Sequence, residues 1–394
     1  MKLIKMFCTA AVFATLVQSA VAADLIAFWD QPAKGGNVFN AEPKNEAYFQ
    51  ALADTGASWV RLTFSKWEGQ QRDFLMGNAD SYRGLIPEDL AVLRAEIDAA
   101  ASAGLKVVVA PLTLPGARWS QQNGGKFDDR LWSDPAFQNQ ATQFWVDLAA
   151  ALKDHPNIAA YNILNEPAPE KASGGIENGS EEQLRDWQKA QSGGTRDLTR
   201  FYAKVIAAIR KVDPVTPIMV DGGWYANPRS LAAWPKALPD NRMLYAFHMY
   251  EPYAATSAAN MRRDTPRRYP GVSTEYAGRQ VSWNRKAVAD HIGAAFDWAE
   301  EHNLPPTRIV AAEFGCMRRW PDCGTYLNDV LDAVESRGGH WAFYSFREDE
   351  WEGMDYELPT RVAPGRFYWL MEQGKGDSLP RDGKLMDLLR DRMQ

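Results

Sequence analysis

Glu166 and Glu313 are the residues whose placement most directly suggests chemistry. Glu166 closes the run Tyr161-Asn162-Ile163-Leu164-Asn165 and is followed by Pro167. Glu313 closes Ile309-Val310-Ala311-Ala312 and is followed by Phe314-Gly315. Both runs are apolar and strand-like, and both break at Pro or Gly just past the carboxylate. Desolvation makes an apolar strand tip a costly place for a charge, so a Glu held there points to function. Two carboxyl groups brought together from two strands are what cleavage of a glycosidic bond uses.

The elements that must position them alternate along the chain. Residues 25–29 read as an opening strand in a hairpin with the first barrel strand at 36–39. Further short apolar strands are predicted at 59–64, 105–110, 158–164, 217–221, 243–250, 308–313 and 341–346. Helices are predicted at 87–103, from Asp134-Pro135 onward, and at 195–212, 285–301, 323–336 and 383–392. The helix after Pro135 carries Phe137, Ala141, Phe144, Leu148 and Leu152 on one side. Eight βα alternations predict an α/β fold, a single-domain (β/α)8 TIM barrel. A doubly wound sheet is the alternative, but no Gly-rich dinucleotide fingerprint supports it. The polar stretch 172–194 reads as a long loop. In such barrels chemistry gathers at the C-terminal strand ends. Those ends carry Arg61, Asn165, Glu166, His248, Tyr250 and Glu313, with Trp341 beginning the last strand. Taken singly, Arg61 reads as an ion pair, His248 as a core histidine and Trp341 as packing. Together they make a site.

The 394 residues are 45% hydrophobic with 15 Trp, ample for a packed core. The formal net charge is −6 and no basic run occurs, which argues against nucleic acid as a partner. Lys2 and Lys5, an apolar stretch to about residue 17 and Ala20-Val21-Ala22 form a signal-peptide pattern, with cleavage expected after Ala22. The domain assignment is therefore leader 1–22 and catalytic domain 23–394. The apolar stretch is too short for a membrane span, and secretion or a periplasmic location is expected. Past the leader remain Cys316 and Cys323, which an oxidising compartment would pair, the alternative being two free thiols. Neither C-x-x-C nor H-E-x-x-H is present, so zinc is poorly supported.

With these residues in view, the chain resembles glycoside hydrolase family 5, the cellulase-type family of clan A, from about residue 35 to about 368. Asn165-Glu166-Pro167, His248-Met249-Tyr250, Glu313-Phe314-Gly315 and Trp341 carry the likeness. The resemblance implies a retaining β-glycosidase acting on a β-linked glucan or related oligo- or polysaccharide. It assigns Glu166 as acid/base and Glu313 as nucleophile. Asn165 would hold the sugar 2-hydroxyl, Tyr250 and Arg61 would orient Glu313, His248 would support Glu166, and Trp341 would floor the −1 sugar. It implies no metal or organic cofactor, and a monomer is expected. The chain departs from the family pattern at 110–116, where many members carry a His and this one has none. Stretch 112–124 is similar to a loop of exo-acting β-1,3-glucanases. Trp119, Trp224 and Trp351 either stack on sugars or pack loops. A transglycosylase, a non-catalytic glycan-binding barrel and a metal-dependent barrel deacetylase are the competing readings.

Overall fold

A computed structural model of the chain describes residues 25–38, 41–171, 173, 175, 179–274, 279–349, 353–365, 374 and 381–394. The expected leader lies outside them. Eight parallel strands close into a barrel: β1 (Lys34–Val38), β2 (Trp59–Thr63), β3 (Lys106–Ala110), β4 (Ile158–Asn162), β5 (Ile218–Asp221), β6 (Met243–Met249), β9 (Ile309–Phe314) and β10 (His340–Phe346). Their order around the barrel is β1-β10-β9-β6-β5-β4-β3-β2. The strands are short, β-branched or Ala-rich, and buried on both faces, as parallel strands between a filled interior and a helical layer must be.

The helical layer includes α1 (Glu46–Ala53), α2 (Pro87–Ser102), α3 (Pro135–Leu152), α4 (Glu181–Gln191), α5 (Leu198–Ile209), α6 (Arg285–Glu301), α7 (Cys323–Glu335) and α8 (Lys384–Met393). Starts follow sequence cues: Pro87 and Pro135 sit in first turns, and Asn45, Asp134, Asp197 and Asn284 cap with their side chains. Period-two alternation splits each strand between two cores. Val60 and Leu62 pack with the helices, whereas Trp59 joins an interior cluster with Val108, Ala160, Met219, Leu244, Ala246, Val310, Ala312 and Ala342. Small side chains suit this narrow interior, and Trp29 packs into it, its Nε1 donating to the Ala159 carbonyl at 2.9 Å.

Three expectations change. Residues 25–29 do not form a strand. Phe28–Asp30 is a 3-10 helix that delivers Trp29 to the interior. A short apolar run cannot distinguish strand from helix by periodicity. The stretch 172–194 is not loop throughout: α4 begins at a capping box in which Ser180 and Gln183 exchange backbone and side-chain hydrogen bonds. Only Leu184 and Gln188 of α4 are buried, so its apolar stripe is too thin to stand out. An antiparallel hairpin, β7 (Gly271–Thr274) with β8 (Gln280–Trp283), was not anticipated. Cys316 and Cys323 form a disulfide between β9 and the start of α7. No described helix is long and apolar enough to cross a membrane.

Candidate active site

The predicted polar residues meet at the C-terminal mouth of the barrel, around a cavity of about 430 Å³. Arg61 points inward from β2 and is fully buried. Its Nη1 donates to Glu313 Oε1 at 2.5 Å and its Nη2 to Asn165 Oδ1 at 2.7 Å. Asn162 Oδ1 receives both Nε (2.9 Å) and Nη2 (2.7 Å), which locks the guanidinium plane. Tyr250, just past β6, donates its hydroxyl to Glu313 Oε2 at 2.8 Å. Both oxygens of Glu313 thus have a donor, and the acidic side chain keeps 11% exposure towards the cavity.

Glu166 has a different environment. Its backbone is left-handed, with φ +49°, and its N–H donates to Asp221 Oδ2 at 3.0 Å. Such a conformation in a non-glycine residue costs free energy and persists where its surroundings over-determine it. Among the described residues the Glu166 carboxylate takes one side-chain hydrogen bond, to His248 Nδ1 at 2.8 Å. The same nitrogen is 3.7 Å from Glu313 Oε2, so His248 stands between the two acids. One oxygen of each Glu and a His248 nitrogen lie within 4.8 Å of one another. Among the described residues this trio is the one His/carboxylate group close enough to ligate an ion. Arg61 already supplies a positive charge to it.

The environments drive the two carboxyls apart. Burial pushes Glu166 above its ordinary range; the His248 contact opposes this, while the Glu313 and Asp221 charges add to it. Burial also pushes Glu313 up, but His248, Arg61 and the Tyr250 hydroxyl together outweigh it and hold Glu313 below its ordinary range. Burial lowers His248, and the three surrounding carboxylates overcome that and raise it. The arrangement therefore favours Glu166 protonated and Glu313 ionised.

Trp341 is not part of this gathering. It is fully buried, its Nε1 donates to Glu335 Oε1 at 3.1 Å, and its ring meets Phe314 edge-on at 5.9 Å. It lies near the start of β10, far down the strand from the mouth. The aromatic of β10 that lines the cavity is Tyr344, further along. Trp119 and Trp224 line the cavity, whereas Trp351 lies outside the described residues. Trp320 in the disulfide loop is buried, donates Nε1 to the Arg267 carbonyl at 2.8 Å and does not line the cavity.

Sequence reasoning also missed Asn162, Asp221 and Glu170. Asn162 and Asp221 were legible only as polar residues closing apolar strands, the signal that singled out Glu166. Asp221 Oδ1 accepts from Asn162 Nδ2 at 2.8 Å and its Oδ2 fixes the Glu166 backbone, so it braces both. Glu170 is buried, and its Oε2 accepts the Trp224 backbone N–H at 3.1 Å. Trp224, Tyr225 and Ala226 are successively left-handed, with φ of 47°, 59° and 62°. Glu170 thus pins a strained turn that carries Trp224 and Tyr225 to the cavity wall. Gly223 is required beside it, because a Cβ there would lie 2.0 Å from Glu170 Oε1. A smaller adjoining cavity of about 140 Å³ lies on the Glu166 side, lined by Trp119, Phe127, Lys171 and Tyr225.

Residues 28–350 match the family model of Cellulase (glycosyl hydrolase family 5). The chain belongs to glycosyl hydrolase family 5, a family of glycosidases. It is 29% identical over 228 residues to a Beta-xylosidase of Phanerodontia chrysosporium, a match covering 55% of this chain and 40% of that protein. It is 21% identical over 243 residues to Endoglucanase 3 of Fibrobacter succinogenes, covering 53% of this chain and 33% of that protein. The matches thus span less than half the length of these curated relatives. Thermotoga maritima Cel5A, solved with cellobiose, superposes with a TM-score of 0.61 at 15% identity, over 92% of this chain and 99% of that one. That likeness bears on the barrel fold.

Proposed function

We propose that this protein is an exported retaining β-glycosidase that hydrolyses a β-linked glucan or related glycan by double displacement. Glu166 is the acid/base and Glu313 the nucleophile. The observation that carries the reading is the pair itself. One oxygen of each lies within 4.8 Å of the other, near the separation of about 5–5.5 Å that retaining enzymes use and short of the roughly 6.5–9.5 Å that leaves room for water in inverting ones.

In the first step Glu313 Oε attacks the anomeric carbon, and the bond to the leaving oxygen breaks as Glu166 gives that oxygen its proton. The product is a glycosyl ester on Glu313 and an ionised Glu166. In the second step Glu166 takes a proton from water, the water oxygen attacks the anomeric carbon, and the Glu313 carboxylate leaves. The opposed pKa shifts suit these roles, with a proton available on Glu166 and a charge on Glu313 at the start. His248 stabilises the Glu166 charge formed between the steps. Arg61 and Tyr250 receive the Glu313 charge when it leaves.

The cavity on the Glu166 side, away from Glu313, suits the leaving group, with Trp119 and Tyr225 as apolar faces for sugar rings. Asn165, oriented by Arg61, has an amide nitrogen with no hydrogen-bond partner among the described residues, which suits a sugar hydroxyl at the reaction centre. Tyr344 takes the place first assigned to Trp341 as the aromatic wall supplied by the last strand. The signal-peptide pattern at 1–22 and the Cys316–Cys323 disulfide support export. Incubating the purified protein with β-1,3-, β-1,4- and β-1,6-glucans, xylan and mannan, with product length and initial anomer recorded, tests the reading. A β-anomer released first supports double displacement. An α-anomer, or no turnover of any β-glycan or aryl β-glycoside, refutes it.

A further inference from the structure

Three carboxyl groups surround the His248 ring, and the double displacement uses two of them. The third belongs to Asp221, the last residue of β5, which is fully buried. Its Oδ2 lies 3.5 Å from His248 Nε2, an ion-pair contact rather than a hydrogen bond. Among the described residues Nε2 has no hydrogen-bond partner, and Asp221 is the one acidic group within ion-pair distance of it. On the other edge of the ring, Nδ1 meets Glu166 Oε1 at 2.8 Å and Glu313 Oε2 at 3.7 Å. The imidazole thus stands between Asp221 and the two glutamates.

Asp221 is held from several sides. Its Oδ1 accepts from Asn162 Nδ2 at 2.8 Å and its Oδ2 from the Glu166 N–H at 3.0 Å. Arg61 Nη2 stands 3.7 Å from Oδ2, and the Tyr202 hydroxyl donates to the Asp221 carbonyl at 2.9 Å. Further titratable groups reach the ring through the glutamates: Arg61 and the Tyr250 hydroxyl on Glu313, and Tyr344 on the cavity wall near both.

A lone pair on Nε2 would face the Asp221 carboxylate, and like charges that close in a buried site repel. Nε2 therefore carries a hydrogen, and the state of Nδ1 decides what Glu166 can do. A bare Nδ1 would accept the Glu166 hydrogen and keep it from the substrate. A protonated Nδ1 donates to Oε1 and leaves the acidic hydrogen on Oε2. Burial disfavours the charged ring, but the Glu313, Glu166 and Asp221 carboxylates outweigh it, so the form with both nitrogens protonated is favoured.

We propose that Asp221 is a positioning residue for acid catalysis: through His248 Nε2 it keeps the ring a donor on both edges, which holds the Glu166 hydrogen on Oε2, the oxygen away from the ring. The inference rests on the glycosidase reading of Glu166 and Glu313. In the first step the Glu166 hydrogen alone moves, to the leaving oxygen. The ring keeps both of its own, and Asp221 stays ionised. In the second step a hydrogen returns to Glu166 from water.

The test compares the pH profiles of kcat/KM for wild type and Asp221→Asn on two aryl β-glycosides of the sugar that the glycan panel identifies, one with a poor and one with a very acidic leaving group. The amide matches the carboxylate in shape and keeps one oxygen for the Glu166 N–H, but it removes the charge. With one negative charge fewer, the Glu166–His248 pair gives up its proton more easily, so the basic limb on the poor leaving group moves to lower pH. The plateau on that substrate also loses part of the roughly 10²–10⁴-fold that a positioned acid supplies, while the acidic leaving group is barely affected. An unchanged profile, or a loss that is equal on both substrates with the basic limb in place, overturns the inference, because a purely structural Asp221 would act on both alike. If Asp221→Asn does not fold, a neutron structure of the wild-type protein at about pH 7 decides: hydrogens on both ring nitrogens and on Glu166 Oε2 are expected. A bare ring nitrogen, or a Glu166 hydrogen held between Oε1 and Nδ1, overturns the inference. Failure of the glycosidase reading is seen separately, as wild-type protein that turns over no β-glycoside.

Discussion

Tyr250→Phe removes one oxygen from the site, and its effect follows from the geometry. The hydroxyl donates to Glu313 Oε2 at 2.8 Å and is one of three groups that hold this carboxylate ionised, with His248 and Arg61. A hydrogen bond to a charged group contributes about 1.5–3 kcal/mol. Its loss therefore raises the Glu313 pKa. The nucleophile must be ionised, so the acid limb of kcat/KM moves to higher pH. Arg61 and His248 remain, so the carboxylate is still formed and the enzyme still works above the limb. The assay is the pH profile of kcat/KM on an aryl β-glycoside with a very acidic leaving group, for which the proton of Glu166 matters little. Thermal melting in parallel shows whether the fold is kept. An acid limb that stays where the wild type has it would refute the claim that Tyr250 holds the Glu313 charge.

Glu313→Ala should abolish turnover while the melting temperature stays near that of the wild type, because the side chain opens on a cavity. Retained activity would dismiss the covalent route. Glu166→Ala should slow cleavage of ordinary glycosides by about 10²–10⁴-fold and cost far less on acidic leaving groups, read from a series of aryl glycosides. Glu170 carries its proton up to about 7 in the fold, against a reference of 4.5, chiefly because it is buried. A raised folded pKa gives stability that is complete below 4.5 and lost as pH rises to about 7, here about 3 kcal/mol. Denaturation of Glu170→Gln from pH 4 to 8 should therefore lack that share of the decline, whereas curves parallel to the wild type would reject it. The Cys316–Cys323 bridge should leave no reactive thiol in denatured, unreduced mature protein, and it contributes about 2–3 kcal/mol by loop entropy. Two titratable thiols per chain would rule it out.

The sequence alone determined the barrel and singled out the two acids that meet at its mouth. Eight apolar runs alternating with amphipathic ones admit few architectures, because parallel strands require crossovers and both faces of the sheet require cover. Glu166, Glu313, Asn165, His248 and Tyr250 were legible for a local reason: each is a polar residue at or just past the C-terminal end of an apolar strand, where burial without a partner would be costly, and Arg61 is a charge set in the middle of one. Position along a strand was not legible in the same way. Trp341 and Tyr344 are both aromatics of β10, and only the stagger of strands around the closed barrel decides which one reaches the mouth. Phe28–Asp30 is a 3-10 helix rather than a strand, and its Trp29 fills an interior lined by residues of the barrel strands, which no local pattern in 25–29 reveals. The opposed shifts of Glu166 and Glu313 are likewise tertiary, since Arg61 and Tyr250 from β2 and β6 select one carboxyl and leave the other to His248. The left-handed turn at Trp224–Ala226 has no signature in its own residues. Glu170, far away in sequence, holds it, so aromatic faces at the cavity wall depend on a buried acid that no local pattern announces.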